Sequence, residues 1–188
     1  GGFTGLWSAL KAKEQQPDAH IVLLEAGRCG QDASGRTGGF CAPSISHGVS
    51  NALARYPGEA ETLIRLGRQN LAEYARDLDV HGIDAELLSG SALSEKLDSP
   101  AYVAGLVEPN YALIHPAKTV KELRRVCIAK GVEIFEDTPV SGLSRDGTLI
   151  ALQTPQARVK AAKVILATNA AVPLLNKLKL AFIPIYDY

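Results

Sequence analysis

Two features near the start of the chain have the residue types and spacing needed to hold a dinucleotide. Gly2 and Gly5 form the end of a G-x-G-x-x-G turn, with Phe3 and Thr4 between them. Such a turn lets the backbone approach a pyrophosphate at the positive N-terminus of the following helix. A side chain at Gly2 would hold the backbone away, and one at Gly5 would push the helix off the strand. Glu25 follows Gly5 by 20 positions, near the spacing of a ribose-binding carboxylate, so the sequence predicts a dinucleotide site.

The charge of Glu25 bears on which dinucleotide is bound. A carboxylate accepts hydrogen bonds from two ribose hydroxyls, and it repels a 2′-phosphate. FAD or NAD is therefore favoured over NADP. The competing interpretation is a solvent-facing glutamate at the end of a strand. The glycine turn at the right distance makes that interpretation the weaker one.

The composition narrows the class of protein. The chain has 188 residues, 46% of them hydrophobic, which is enough for one domain, or for one and part of a second. Acidic and basic residues balance at 20 each, which argues against nucleic acid or a membrane surface as the main partner. We expect no membrane span, because no run of 18 apolar residues is present. Cys29, Cys41 and Cys127 are far apart and indicate reduced thiols of a cytoplasmic protein, and no metal-ligand spacing is seen.

The elements that would position these residues follow from hydrophobic periodicity. Residues 6–13 predict a helix, and the apolar run at 20–25 predicts a strand covered on both faces, as in a parallel sheet. Residues 26–56 are rich in Gly and Ser and predict a functional or disordered loop. Asp146-Gly147 marks a hairpin turn, and Gly131 marks a helix end. The other predicted elements are helices at 59–78 and 117–130 and strands at 132–135, 140–144, 148–153, 158–160 and 163–167.

Three stretches carry a family resemblance. They are Gly1-Gly2-Phe3-Thr4-Gly5-Leu6-Trp7, Val22-Leu23-Leu24-Glu25-Ala26 and Ala33-Ser34-Gly35-Arg36-Thr37-Gly38-Gly39. Together they resemble the flavin-binding signature of the D-amino-acid oxidase/glycine oxidase family, most closely its γ-glutamylputrescine oxidase-like members. Further matches lie at His115-Pro116-Ala117-Lys118 and at residues 131–134, 136–140 and 164–170. The likeness covers nearly all of the chain in the family's order.

The resemblance implies an α/β fold, in which an FAD-binding Rossmann-like parallel sheet carries an inserted antiparallel hairpin or meander. Residues 1–180 would form an FAD-binding domain that is discontinuous in the family, with part of a substrate-side segment near 80–113. Residues 181–188 would begin a substrate domain. We expect the chain to start inside the glycine turn, without the preceding strand, and to stop before the segment that closes on the flavin. The piece alone is therefore expected to bind FAD poorly and to show no oxidase activity.

The resemblance also implies FAD as the cofactor and assigns residues to it. Gly2 and Gly5 would face the pyrophosphate, and Glu25 the ribose. Arg36 would offset phosphate charge, and the backbone of Val140 would meet the adenine. The full set implied to bind FAD is Gly2, Phe3, Thr4, Gly5, Glu25, Ala26, Ser34, Arg36, Thr37, Gly38, Gly39, Val140, Ala167 and Thr168.

The implied activity is oxidation of a small-molecule amine or amino acid. In this family a hydride passes from the carbon next to the substrate nitrogen to flavin N5, and the imine that forms is hydrolysed. No catalytic residue is assigned, because His47, His115 and Cys41 are better explained by ordinary structural roles. No metal is expected, and the sequence does not predict an oligomeric state.

Two other functions remain open. An NAD-dependent dehydrogenase would also use the glycine turn and Glu25. Its domain would usually continue with plain β-α alternation, so the hairpin and extra strand between residues 132 and 163 argue against this function. A non-catalytic truncated remnant of a flavoprotein is the second alternative.

Overall fold

The computed structural model describes residues 1–43, 48–83, 112–169 and 174–175. The expectations for His47, for the segment near 80–113 beyond residue 83, and for 181–188 lie outside these residues. The described helices are α1 (Phe3–Gln15), α2 (Ala33–Arg36), α3 (Val49–Arg55), α4 (Ala60–Val80) and α5 (Pro116–Ala129). The described strands are β1 (Val22–Leu24), β2 (Phe40–Cys41), β3 (Ala112–Leu113), β4 (Glu133–Phe135), β5 (Gly142–Asp146), β6 (Leu149–Gln153) and β7 (Arg158–Ala161).

The chain divides into two compact units. The first unit comprises Gly1–Arg36 and Leu123–Tyr188, and the second comprises Thr37–Glu122. The division falls within α5, which begins in the second unit and ends in the first. The predicted domain limits at residues 180 and 181 stay a prediction.

In the first unit, α1 buries one side of its surface. Leu6 and Leu10, one helical turn apart, are fully buried, and Ala9 is nearly so. The thiol of the fully buried Cys127 donates to the carbonyl oxygen of Leu6 at 3.4 Å. This apolar side fixes the orientation of α1, and therefore the direction in which its N-terminus points. The predicted helix is confirmed and is longer at both ends than predicted.

The parallel pair β1 and β4 lies beside α1. Leu23 is opposite Ile134 in the register, flanked by the pairs Val22–Glu133 and Leu24–Phe135. Both strands were predicted, and their parallel pairing confirms the α/β assignment. Leu23 is buried while Val22 and Leu24 are half-buried, so the expected full burial holds only for the face of Leu23.

The predicted antiparallel insertion is confirmed as a three-stranded meander in the order β5-β6-β7. Gly147 at the hairpin has φ +62°, a value that glycine adopts without strain. Asp146 pairs with Lys160 at 2.9 Å and with Arg158 at 3.4 Å, which joins the hairpin to β7.

The strand predicted at residues 163–167 is wrong. The structure gives these residues no strand assignment, and Ile165 is 65% exposed. An apolar run indicates only that the residues tend to be buried, whereas a strand also needs a neighbouring strand for its backbone hydrogen bonds. Residues 163–167 have no ladder partner among the described strands.

In the second unit, α4 confirms the predicted long helix, and it buries Ala60, Gly67 and Leu78. Strands β2 and β3 pair antiparallel. The loop predicted for residues 26–56 contains more regular structure than expected, because α2, β2 and α3 all lie within it.

Candidate dinucleotide site

The N-terminus of α1 presents backbone amides that have no acceptor within the helix. Gly2 is the N-cap and has no side chain to cap the helix, and the first turn holds no acidic residue. The N–H of Phe3 donates to the hydroxyl of Ser34 at 3.1 Å. The amides of Thr4 and Gly5 have no acceptor inside the helix, because first-turn amides never do. Together with the helix dipole, this arrangement suits a phosphate group.

The glycines of the turn differ in how tightly they are packed. A Cβ on Gly2 would lie 2.5 Å from Ser34 Oγ, so a side chain there would force the hydroxyl to rotate away from the N–H of Phe3. A Cβ on Gly5 would lie 3.7 Å from Ala167 Cβ and 3.8 Å from Leu23 Cδ1, which is ordinary contact. Glycine is therefore favoured at Gly2, because it leaves the Ser34–Phe3 hydrogen bond in place. The expectation that a side chain at Gly5 would push the helix away is wrong for a methyl group.

The side chain of Glu25 turns towards the glycine turn. One carboxylate oxygen, Oε1, accepts the N–H of Gly27 at 2.9 Å. The other, Oε2, lies 2.5 Å from the α-amino nitrogen of Gly1, and the side chain is 15% exposed. The expected pairing of a glycine turn with a carboxylate after the next strand is thus present in three dimensions.

Backbone hydrogen bonds continue past the end of β1 and hold the segment that carries Glu25. The N–H of Glu25 donates to Phe135 O at 2.9 Å, and Glu25 O accepts from Thr138 N–H at 2.8 Å. The N–H of Asp137 donates to Gly27 O at 2.8 Å. The segment after β1 is therefore fixed against the segment after β4.

A charged cluster lies beside this segment, around Glu136. Its Oε1 accepts the N–H of Cys29 at 2.8 Å, and its Oε2 lies 3.1 Å from Arg124 and 3.6 Å from Arg28. Arg28 also pairs with Asp137 at 2.8 Å. The hydrogen bond from Cys29, followed by that from Arg124, lowers the pKa of Glu136 despite its partial burial. Burial raises the pKa of the Cys29 thiol to about 11.

The glycine-rich segment that follows is divided between the two units. In the first unit Arg36 is exposed at the end of α2, and a Cβ on Gly35 would run into the carbonyl oxygen of Gly30. In the second unit the N–H of Gly39 donates to Thr37 Oγ1 at 3.2 Å, and Gly38 is exposed.

The remaining assigned residues lie in irregular backbone of the first unit. Val140 is half-buried just before β5, and Ala167 is the residue that approaches Gly5. Thr168 is exposed, and so is Ala26. The structure therefore brings Gly2, Glu25 and Ser34 together at one helix end, with Gly5 and Ala167 one turn further along.

Sequence reasoning missed the cluster of Cys29, Arg124 and Glu136. Glu136 follows directly after β4, as Glu25 follows directly after the parallel strand β1. Adjacent parallel strands bring their carboxyl ends to one edge of a sheet, and that signal in the sequence could have identified Glu136 as a neighbour of the site.

The structure gives no catalytic role to the candidates considered. His115 lies just before α5, where its Nδ1 accepts the N–H of Lys118 at 3.3 Å and its carbonyl accepts the hydroxyl of Thr119 at 3.0 Å. Cys41 is half-buried, and burial raises its pKa. Among the described residues, no group of three or more His, Cys, Asp and Glu side chains could hold a metal ion. No helix in the described part of the chain is long and apolar enough to cross a membrane.

The arrangement fits the pyrophosphate and adenosine ribose of FAD. The groups that these parts require are helix amides without intrahelical acceptors, a glycine turn in close contact with Ser34, and a carboxylate beside that turn.

Comparisons with known proteins point the same way. Residues 1–79 and 57–187 match the DAO family, described as FAD dependent oxidoreductase. The chain is 25% identical to a probable oxidoreductase OrdL of Haemophilus influenzae, over 94% of this chain and 49% of that protein. It is also 25% identical to gamma-glutamylputrescine oxidoreductase of Escherichia coli, over 90% of this chain and 47% of that protein.

The fold is similar to that of glycine oxidase from Geobacillus kaustophilus. The TM-score is 0.57 at 17% sequence identity, covering 89% of this chain and 53% of that one. The chain spans about half the length of the curated relatives it matches.

Proposed function

The chain belongs to the DAO family of FAD dependent oxidoreductases, and from that premise we propose that it is the FAD-holding part of an enzyme that oxidises a C–N bond of an amine or amino acid to an imine. The observation that carries the proposal is the convergence of Gly2, Ser34 and Glu25 at the N-terminus of α1. Glycine clearance, helix amides and a carboxylate occur there in the arrangement that a dinucleotide needs.

Each of these residues has a separate task in binding. The amides of Thr4 and Gly5 bind the pyrophosphate, because they have no acceptor within α1 and lie at the positive end of its dipole. Glu25 accepts hydrogen bonds from the ribose hydroxyls. Ser34 fixes the amide of Phe3 and thereby the geometry of the turn.

Bound in this way, FAD would supply the redox chemistry by accepting a hydride from the carbon next to the substrate nitrogen. The chain contributes binding and orientation, with the Glu25 carboxylate as one of the groups that would hold the cofactor.

The remaining assignments rest on the family signature. We assign Phe3, Ala26, Arg36, Thr37, Gly38, Gly39, Val140, Ala167 and Thr168 to the cofactor. We propose that residues 1–180 form the FAD-binding domain, which includes part of a substrate-side segment near 80–113. Residues 181–188 would begin a substrate domain.

The substrate is proposed to be a small amine or amino acid. Two proteins similar to this chain are named for such compounds, namely gamma-glutamylputrescine oxidoreductase and glycine oxidase. The cytoplasm is the proposed compartment, supported by three free cysteines, Cys29, Cys41 and Cys127.

An anaerobic substrate screen of the complete gene product tests this function. Amines and amino acids are added one at a time, and the flavin absorbance is followed. Bleaching by at least one compound is the expected result. If the protein holds flavin but none of the compounds bleaches it, the result contradicts the oxidation of C–N bonds. The non-catalytic remnant is then the alternative that remains. A protein that binds NAD and no flavin supports the dehydrogenase alternative.

A further inference from the structure

We propose that Glu136 is a positioning residue for the adenosine end of the cofactor, because its carboxylate holds the segment of residues 26–30 that places Glu25. This inference rests on the proposed function, since it concerns the binding of FAD. Nothing in the family signature used above includes Glu136 among the cofactor residues.

The connections of residues 26–30 show what Glu136 adds. Backbone hydrogen bonds from Thr138 and Asp137 hold the first part of the segment, at Glu25 and Gly27. The second part is held differently, because the N–H of Cys29 donates to the Glu136 side chain at 2.8 Å. The backbone bonds of this second part join Gln31 to Arg28 and Gly30 to Gly1. The side chain of Glu136 and the Arg28–Asp137 pair attach it to the segment after β4, and we call this attachment the clamp.

The clamped segment reaches the glycine turn directly. The N–H of Gly30 donates to Gly1 O at 3.1 Å, one residue after the amide that Glu136 holds. The Oε2 of Glu25 lies beside Gly1 as well. A shift at Cys29 therefore moves its neighbour Gly30, which binds Gly1, and loosens the loop that begins at Glu25.

The charge on Glu136 is held by its surroundings. Arg124 from α5 and Arg28 from the segment itself lie near Oε2, at 3.1 Å and 3.6 Å. Asp137 offsets Arg28 at 2.8 Å, and the thiol of Cys29 is the other titratable group facing the carboxylate. The side chain is 15% exposed, so the ionised carboxylate makes a stronger hydrogen bond to the amide than a neutral acceptor does.

Two variants of the complete gene product separate the hydrogen bond from the charge. Glu136→Leu removes both, while Glu136→Gln keeps an acceptor for the N–H of Cys29 and removes the charge. Glu133→Gln is the matched control, since Glu133 lies on β4 and pairs with the exposed His20 while its own side chain is 54% exposed. Dissociation constants for FAD and for ADP-ribose are measured, together with hydrogen exchange at the amides of Cys29 and Gly30.

The clamp predicts that Glu136→Leu raises both dissociation constants by the same factor, about tenfold, because a hydrogen bond to a charged group is lost. Glu136→Gln has a smaller effect, and Glu133→Gln has none. Exchange at Cys29 becomes faster in Glu136→Leu, while amides of β5, β6 and β7 keep their protection. At saturating FAD, kcat is unchanged, which is the result expected of a positioning residue.

Three results overturn the clamp. If Glu136→Leu and the wild type have equal affinity for FAD, the clamp is wrong and the proposed function is unaffected. If Glu136→Leu loses exchange protection throughout the meander, Glu136 has a general folding role instead. The FAD affinities are then compared again with Glu136→Gln, a variant that folds. Wild-type protein that binds no FAD overturns the proposed function itself, and the clamp with it.

Discussion

The hydroxyl oxygen of Ser34 accepts a hydrogen bond from the backbone N–H of Phe3 at 3.1 Å, joining residues 31 positions apart in the chain. Phe3 begins α1 and Ser34 lies in α2, so one bond fixes two segments of the flavin-binding signature against each other. The same hydroxyl occupies the space that a side chain on Gly2 would need. A side chain at that position would therefore break this bond, which favours glycine there.

Gly2→Ala is predicted to weaken FAD binding by up to about tenfold, because the Ser34 hydroxyl must rotate away and its hydrogen bond with Phe3, worth ~0.5–1.5 kcal/mol, is lost. The new Cβ would lie 2.5 Å from Ser34 Oγ. Isothermal titration of the complete gene product with FAD measures the effect. Gly142→Ala is the matched control in the same unit, since its Cβ would lie 3.8 Å from Gln153 Cβ.

A double variant tests whether the clash with Ser34 is the cause. Ser34→Ala removes Oγ and leaves its own Cβ 3.3 Å from the Cβ added at Gly2. Gly2→Ala is therefore predicted to cost less in the Ser34→Ala background, with a coupling free energy of roughly 1 kcal/mol. Additive effects of the two substitutions would show that the loss has another origin.

Gly39→Ala is predicted to destabilise the second unit. Gly39 has φ +80°, and its Cβ would run into the carbonyl oxygen of Ile114. Left-handed backbone at a residue other than glycine costs ~1–3 kcal/mol, and the contact adds to this. Urea unfolding measures the loss, with Gly58→Ala as the control because a Cβ there meets nothing within 4 Å. Equal free energies of unfolding for the two variants would contradict the prediction.

The lowered pKa of Glu136 predicts a pH dependence of stability. The group stays ionised in the folded protein at pH values where the unfolded chain, with its ordinary pKa of 4.5, takes up a proton. The unfolded state then binds more protons, so the contribution of Glu136 is present above pH 4.5 and is lost as the pH falls below it. Urea unfolding between pH 6 and pH 3.5 should show a shallower acid loss for Glu136→Gln. Parallel curves for the variant and the wild type would refute this.

Cys29 is predicted to react slowly with alkylating reagents at neutral pH. Burial raises its pKa to about 11, and the thiolate is the reactive form. Its alkylation rate at pH 8 should lie ~100-fold below that of a thiol with pKa 9, and it should rise tenfold per pH unit from pH 8 to pH 10. Iodoacetamide labelling followed by peptide mass spectrometry measures the rate at this residue. A rate that is half-maximal near pH 9 and levels off towards pH 10 would show an ordinary thiol.

Local chemistry was sufficient to predict much of the fold. Asp146-Gly147 predicted the hairpin because its turn needs left-handed backbone, and Gly131 at φ +85° marks the end of α5 for the same reason. The apolar run at residues 163–167 failed because a strand is defined by its neighbour, which the run itself does not contain. Helix α3 was missed within a segment whose Gly and Ser content predicted a loop.

The candidate site could likewise be predicted only in part. The proximity of Gly2 and Glu25 could be predicted, because glycine spacing and a carboxylate after a strand are visible in the sequence. The bond between Cys29 and Glu136 spans 107 positions, and it arises only from the parallel pairing of β1 and β4. Contacts of this kind follow from the fold, so the sequence pattern alone did not identify Glu136.

The absorbance spectrum of the purified complete gene product, measured beside that of its Glu25→Gln variant, tests directly whether the chain holds FAD. We expect flavin bands at one FAD per chain in the wild type. We also expect an FAD affinity about tenfold weaker in Glu25→Gln, because hydrogen bonds from the ribose hydroxyls to a charged acceptor are lost. A wild-type protein that shows no flavin bands and takes up no added FAD would contradict this expectation.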